Sequence, residues 1–248
     1  MPADLCLAGT LGSAEARQAL DRLHDRQVNF SVEQRPKESG DGWHVDDYCQ
    51  PLPDEPPGPP VAGGSWEVAQ ELIRRYEFAD PRLVRAVYYP ESPLEDRDML
   101  LVGRFLGLRF HMGVRVGGVV DEQREVHGRQ VRIWGWDYKT LQGHLEAGQM
   151  DYEVWKWLDT GEVQFRIRRF VRTGIIPNPI VRLGWRIFGR RMQEIFVDRA
   201  CRRMVTFVRR ELGFAESRPP MRGADARPAA GIPAHERHER VGRGRARR

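Results

Sequence analysis

Cysteine is scarce in this chain of 248 residues: Cys6, Cys49 and Cys201 are scattered, odd in number and form no CxxC pair. That excludes a disulfide framework and the usual zinc spacings, and it suits a reducing, cytoplasmic setting. Long apolar runs are also missing. None approaches the roughly 20 residues that a membrane-spanning helix needs. The opening MPADLCLAGTLGSAEA has no basic start followed by a sustained apolar stretch, so no secretory signal is expected. Nucleotide and hydrolase signatures are lacking. Gly103, Gly107, Gly113, Gly117 and Gly118 make neither a GxGxxG nor a P-loop before a helix, and no GxSxG or HExxH occurs. Those glycines fall inside β-like segments, where bulges that curve a sheet explain them better. No repeat with a period of 20 to 50 residues is visible.

The composition is that of a globular chain, 40% hydrophobic and 30% charged. The net charge of +5 is not spread evenly. Residues 215–248 hold nine Arg against four acids, so this stretch carries the whole excess and the rest is near neutral. A high pI is then a property of a tail, and weak support for a nucleic-acid-binding fold.

Ser13 caps a helix expected over 13–26, with Ala16, Ala19, Leu20 and Leu23 on one face. Residues 42–49 read as a short strand. Six prolines in 51–64 remove backbone donors, which predicts an extended surface loop rather than a packed element. Ser65 caps a second helix over 66–78, whose stripe is Val68, Ala69, Leu72, Ile73 and Tyr76. After Pro90 the period becomes two. Strands are expected over 83–89, 98–106, 109–121, 130–140, 150–158 and 163–171, with a turn at Asp159-Thr160-Gly161. Short connections between consecutive strands mean an antiparallel meander. Asn178 at an N-cap and Pro179 at the first helical position start a last helix reaching about residue 212. Its second half carries Val197, Cys201, Met204, Val205, Val208 and Leu212 on one stripe; Gly184 and Gly189 weaken the first half. From Glu216 onward the composition turns to Arg, Pro, Ala and Gly without periodicity, the mark of disorder. The order gives an α+β helix-grip fold, a curved antiparallel sheet wrapped around a long C-terminal helix, with space for a cavity between them.

One segment is more specific. Trp136-Asp137-Tyr138-Lys139-Thr140-Leu141-Gln142-Gly143-His144-Leu145-Glu146-Ala147-Gly148, followed by Tyr152, resembles the central signature of the DUF1990 (UPF0548) family: an aromatic strand, a TLxGHxExG turn and an aromatic in the next strand. Gly107-Leu108, residues 119–122, Leu20-Asp21-Arg22-Leu23 with Asn29-Phe30, and Gly42-Trp43-His44 are similar to its flanking pieces. The resemblance spans roughly residues 17–212. It implies the Bet v 1-like/START-like superfamily and no established biochemical function. Gln149 and Met150 stand where the family usually has acids, and the Pro-rich loop and basic tail look like additions. The expected organisation is an extension over 1–16, a helix-grip domain over 17–213 with its loop at 51–64, and a disordered basic tail over 214–248. The Arg- and Ala-rich composition suits a high-GC bacterial coding sequence.

Three functions fit these residues. The first is a binding module: Trp134, Trp136 and Tyr138 share a strand face and, with Tyr152, would line a cavity for a small hydrophobic or amphipathic ligand. Trp155 and Trp157 share a face of the next strand. A filled core is the plain alternative. The second is an enzyme on the same scaffold, with Tyr138, Thr140, His144 and Glu146 at the cavity mouth doing acid/base work; the plain alternative is a turn whose His and Glu bond the backbone. The third is an interaction protein gripping nucleic acid, an acidic partner or an anionic membrane through Arg182, Arg186 and Arg190, the arginines 199, 202, 203, 209 and 210, and the tail; a solvated helix face is the alternative. Nothing in their spacing makes His111, His127 and His144 converge on a metal, and no cofactor is implied.

Overall fold

In the computed structural model the described residues are 13–31, 36, 38–105 and 108–214. The expected extension and the basic tail fall outside them, apart from residues 13–16 and Phe214. The chain forms α1 (Ser13–Asp21), β1 (His44–Pro51), α2 (Ser65–Arg74), β2 (Val84–Val87), β3 (Asp98–Phe105), β4 (Leu108–Val126), β5 (Arg129–Thr140), β6 (Glu146–Trp157), β7 (Val163–Thr173) and α3 (Pro179–Glu211). All seven strands join one sheet in the order β1-β7-β6-β5-β4-β3-β2, antiparallel at every pairing. The antiparallel meander and long last helix are those read from the period-two stretch and the Asn178 cap.

Period two gives the sheet two faces. Trp134, Trp136, Tyr138, Tyr152, Val154, Phe165 and Ile167 point to the inner face, where they form one core with Trp66, Ile73 and Phe78 after strand β1 and with Val197, Ala200, Met204 and Val208 of α3. Burying a side chain of this size stabilises by about 1.5–3 kcal/mol, so this face dominates the fold. The outer face is covered in patches. Leu20 of α1 and Leu23 just after it pack on Leu100 and Val102, Phe30 and Trp43 on Phe170, and Trp155 against Trp157. Trp155 and Trp157 therefore lie on the opposite face from Trp134 and Trp136. The guanidiniums of Arg166 and Arg129 cover them, 4.1 and 4.4 Å from the ring centres. Of the interior glycines, Gly117 makes the bulge: the β4–β5 register shifts between Val116 and Gly118.

Local chemistry moves several boundaries. The first helix ends at Asp21, not near residue 26, because tight turns follow and Arg115 Nη2 donates to the carbonyls of Leu23 and His24 (3.0 and 3.2 Å). The second ends at Arg74 rather than 78. Tyr76 takes a positive φ of 60°, its N–H bonds Ile73 O and that of Glu77 bonds Leu72 O, a Schellman end with tyrosine where glycine is usual. Ser65 is not the cap; Gly64 is, and the Ser65 side chain is buried. The acceptor comes from the Pro-rich loop, where Glu55 Oε1 takes the Trp66 N–H at 2.8 Å. That loop runs over the surface, as its prolines suggest, but two of its side chains anchor it inside: Leu52 and Glu55 are buried, and Glu55 pairs with Lys156 at 2.6 Å. At α3 the Asn178 side chain accepts from Ile180 N and Val181 N, and the helix runs unbroken through Gly184 and Gly189. Among the described residues no helix is long and apolar enough to cross a membrane.

Candidate functional site

Antiparallel register sets four inner-face residues in a row across the sheet. Tyr138 lies opposite Met150, Met150 opposite Arg169, and Arg169 opposite Asp46. One step along, Trp136, Tyr152, Ile167 and Tyr48 form a parallel row. Glu146 follows on the same face of β6, and α3 lays Gln193 and Arg190 over this end.

The aromatic half is filled by the chain's own side chains. Trp136 Nε1 donates to Ile73 O at 3.1 Å, and the Arg74 guanidinium covers Trp134 at 4.7 Å. Phe78 sits 4.6 Å from Tyr152 and 5.3 Å from Phe165, ring centre to ring centre. Trp134 and Trp136 thus face α2 rather than an open space.

The other half is polar. Tyr138 Oη and Tyr152 Oη lie 3.2 and 2.8 Å from Met150 Sδ, and Tyr76 Oη is 3.4 Å from Tyr152 Oη. Burial pushes the Tyr138 phenol up to about 12 and those of Tyr76 and Tyr152 well above their usual range, so all three stay neutral donors. Arg169 is 1% exposed and its Nε donates to Asp46 at 2.8 Å. Arg190 grips the same carboxylate with two bonds, of 2.7 and 2.8 Å. Burial alone would raise the Asp46 carboxyl, but these two guanidiniums hold it below its ordinary value. Glu146 accepts from the Gln193 amide; burial pushes its carboxyl up, with Arg169, Gln193 and Arg190 pulling the other way. Two buried atoms at this end have no hydrogen-bond partner among the described residues, Arg169 Nη2 and Gln193 Oε1. A buried donor without a partner costs about 1–3 kcal/mol, which a bound acceptor would recover. Arg169 and Arg190 stand here with the Asp46 carboxylate and with Glu146, whose carboxyl burial pushes up, so protonation of Glu146 tips the site in favour of an anion.

The structure brings Tyr138, Tyr152 and Glu146 together, and uses Thr140 and His144 elsewhere. Thr140 Oγ1 accepts from Gly148 N at 2.8 Å and donates to Asn29 Oδ1 at 2.6 Å. His144 is buried at the β5–β6 turn, where its Nδ1 accepts from Glu146 N at 2.9 Å. Burial holds this imidazole down at about 4 against an ordinary 6.5. A lowered histidine pKa means that the fold excludes the proton that the unfolded chain takes up below 6.5. Its contribution is then full above pH 6.5 and is lost as pH falls towards 4. We expect a loss of about 3 kcal/mol across that window, read by urea unfolding at stepped pH, and a flatter profile in His144→Asn. Equal slopes in the two proteins would contradict this role. His127 lies in the β4–β5 turn and His144 in the β5–β6 turn, at opposite ends of β5, so they do not meet.

Sequence reasoning missed Arg169, Asp46, Met150, Gln193 and Tyr76. A signal for the first was present: Val163, Phe165 and Ile167 face inward, and the same period carries Arg169 to that face.

A seven-stranded antiparallel sheet that holds one long C-terminal helix against its inner face defines a helix-grip domain. The chain belongs to the family described as Domain of unknown function (DUF1990), whose model matches residues 27–203. Among solved structures it is similar to the crystal structure of Ara h 8.0201, at 6% identity and a TM-score of 0.38, covering 67% of this chain and 98% of that one. It is also similar to the crystal structure of human STARD10, at 9% identity and a TM-score of 0.33, covering 83% and 84%. A search of curated proteins gave no match.

Proposed function

We propose that the domain binds one small amphipathic molecule with an anionic head, between the sheet and α3. The head accepts from Arg169 Nη2 and, when its raised carboxyl is protonated, from Glu146, and the apolar part lies along Tyr138, Tyr152 and Met150, with Trp136 and Trp134 behind them. Met150, an unbranched thioether between two phenols, is the side chain best able to yield room. The observation that supports this reading is the buried Arg169 nitrogen without a partner among the described residues, beside a carboxyl whose pKa burial raises.

The probe is anilinonaphthalene sulfonate, whose fluorescence rises on transfer to an apolar site. The full chain is expected to bind it saturably at one site. Arg169→Met, which leaves Asp46 its bonds from Arg190, should weaken binding at least about tenfold, the worth of one charge-assisted hydrogen bond. Binding should also weaken as pH rises through the raised pKa of Glu146, because the carboxylate then repels the head while Asp46 and the two arginines keep their charges. Unsaturable binding, or equal binding by the variant, would sink the proposal.

A further inference from the structure

Five of the seven large apolar side chains exposed among the described residues fall in one short stretch: Ile175, Ile180, Leu183, Ile187 and Phe188. Ile180, Leu183 and Ile187 are 80, 60 and 59% exposed. They stand at i, i+3 and i+7 of α3 and so share one side of the helix. The buried stripe of α3 begins only further on, chiefly at Val197, so the first half of this helix presents an apolar face to solvent. Scattered exposed apolar residues are ordinary, but a contiguous face of this kind marks a contact surface.

The charges beside it identify the contact. Residues 174–193 contain Arg182, Arg186, Arg190 and Arg191 and no acidic residue. Arg190 is taken up by Asp46, whereas Arg182, Arg186 and Arg191 are exposed and have no ion-pair partner among the described residues. An apolar stripe bordered by unpaired arginines, near the positive end of a helix dipole, suits a surface that is apolar beneath and anionic at its rim. A second copy fits worse. Pairing two such stripes sets Arg182 and Arg186 near their own counterparts with no acid to neutralise them. Nucleic acid would take the arginines and leave the isoleucines in water. The chain's own tail carries the same charge sign, with nine Arg against four acids over 215–248. We therefore propose that Ile175 and the first half of α3 form an interfacial segment that lies on an anionic phospholipid surface, the apolar stripe entering the acyl boundary and Arg182 and Arg186 meeting phosphates.

The test is sedimentation of the full chain with vesicles of phosphatidylcholine alone and of phosphatidylcholine mixed with phosphatidylglycerol. Wild-type protein should sediment with the mixed vesicles only, and salt should weaken the binding. The double variant Leu183→Glu with Ile187→Glu keeps the tail and every arginine, and both positions are exposed, so its melting temperature should match wild type. Its partitioning should fall about tenfold or more. Arg182→Ala with Arg186→Ala should remove the preference for the anionic vesicles. The proposal is overturned if wild type binds neither vesicle. It is also overturned if the glutamate variant binds as wild type does, which would assign binding to the tail. A wild-type dimer in solution that the variant abolishes, without vesicle binding, would assign the face to self-association instead.

Discussion

Glu55→Ala is expected to destabilise the fold by about 3–5 kcal/mol, the usual cost of removing one partner from a buried ion pair. Lys156 is fully buried and the Glu55 side chain is 4% exposed. The glutamate does more than neutralise the ammonium. Its Oε2 accepts from Val61 N at 3.0 Å and its Oε1 from Trp66 N at 2.8 Å, while Lys156 Nζ donates to Pro59 O at 2.8 Å. One carboxylate therefore ties the Pro-rich loop to the first turn of α2 and to β6. Its loss strands an ammonium in the core and unpairs one backbone donor of the helix start, Trp66 N, and one of the loop, Val61 N. The melting temperature should fall by about 10 °C. Glu55→Leu with Lys156→Met should recover part of the loss, since no charge is then left buried. A Glu55→Ala protein melting within about 2 °C of wild type, less than 1 kcal/mol, would show that the loop is not held this way.

Gly148→Ala is expected to cost at least about 3 kcal/mol, a large effect for one methyl group. Gly148 has a φ of 155°, and a Cβ there would lie 2.1 Å from the Phe170 carbonyl oxygen and 2.8 Å from the Val171 Cα. Both are backbone atoms of the neighbouring strand, so β6 and β7 would have to part at this pair. The same residue lies between Glu146 and Met150 on the inner face, so separation there also disturbs the polar row. Urea unfolding checks the stability and sulfonate binding checks the row. A cost under about 1 kcal/mol would mean that the strands yield easily and that Gly148 is not what sets their approach.

How far the sequence reveals this molecule depends on how local each interaction is. The sheet was legible because alternation in β5 and β7 is a property of neighbouring residues. The start of α3 was legible because the Asn178 cap acts within its own turn. The TLxGHxExG turn gave the family. Ser65 looked like a cap by the same local rule, yet the acceptor came from Glu55, ten residues earlier and across a loop whose prolines suggested no packing. The aromatic faces of β5 were placed correctly on one side, but which element would cover them depends on how α2 docks, and no pattern in β5 encodes that. Asp46 and Arg190 are 144 residues apart and meet on one carboxylate. Only the register of β1 on β7 and the placement of α3 bring them together.

The most direct measurement is native mass spectrometry of the full chain purified gently from its own host, followed by denaturing release, with Arg169→Met prepared in parallel. The account predicts a stoichiometric small molecule with an anionic head on the wild-type protein, absent or strongly depleted on the folded variant. A wild-type protein that carries nothing, or a molecule retained equally by Arg169→Met, would contradict the claim that the polar row beneath α3 is a binding site.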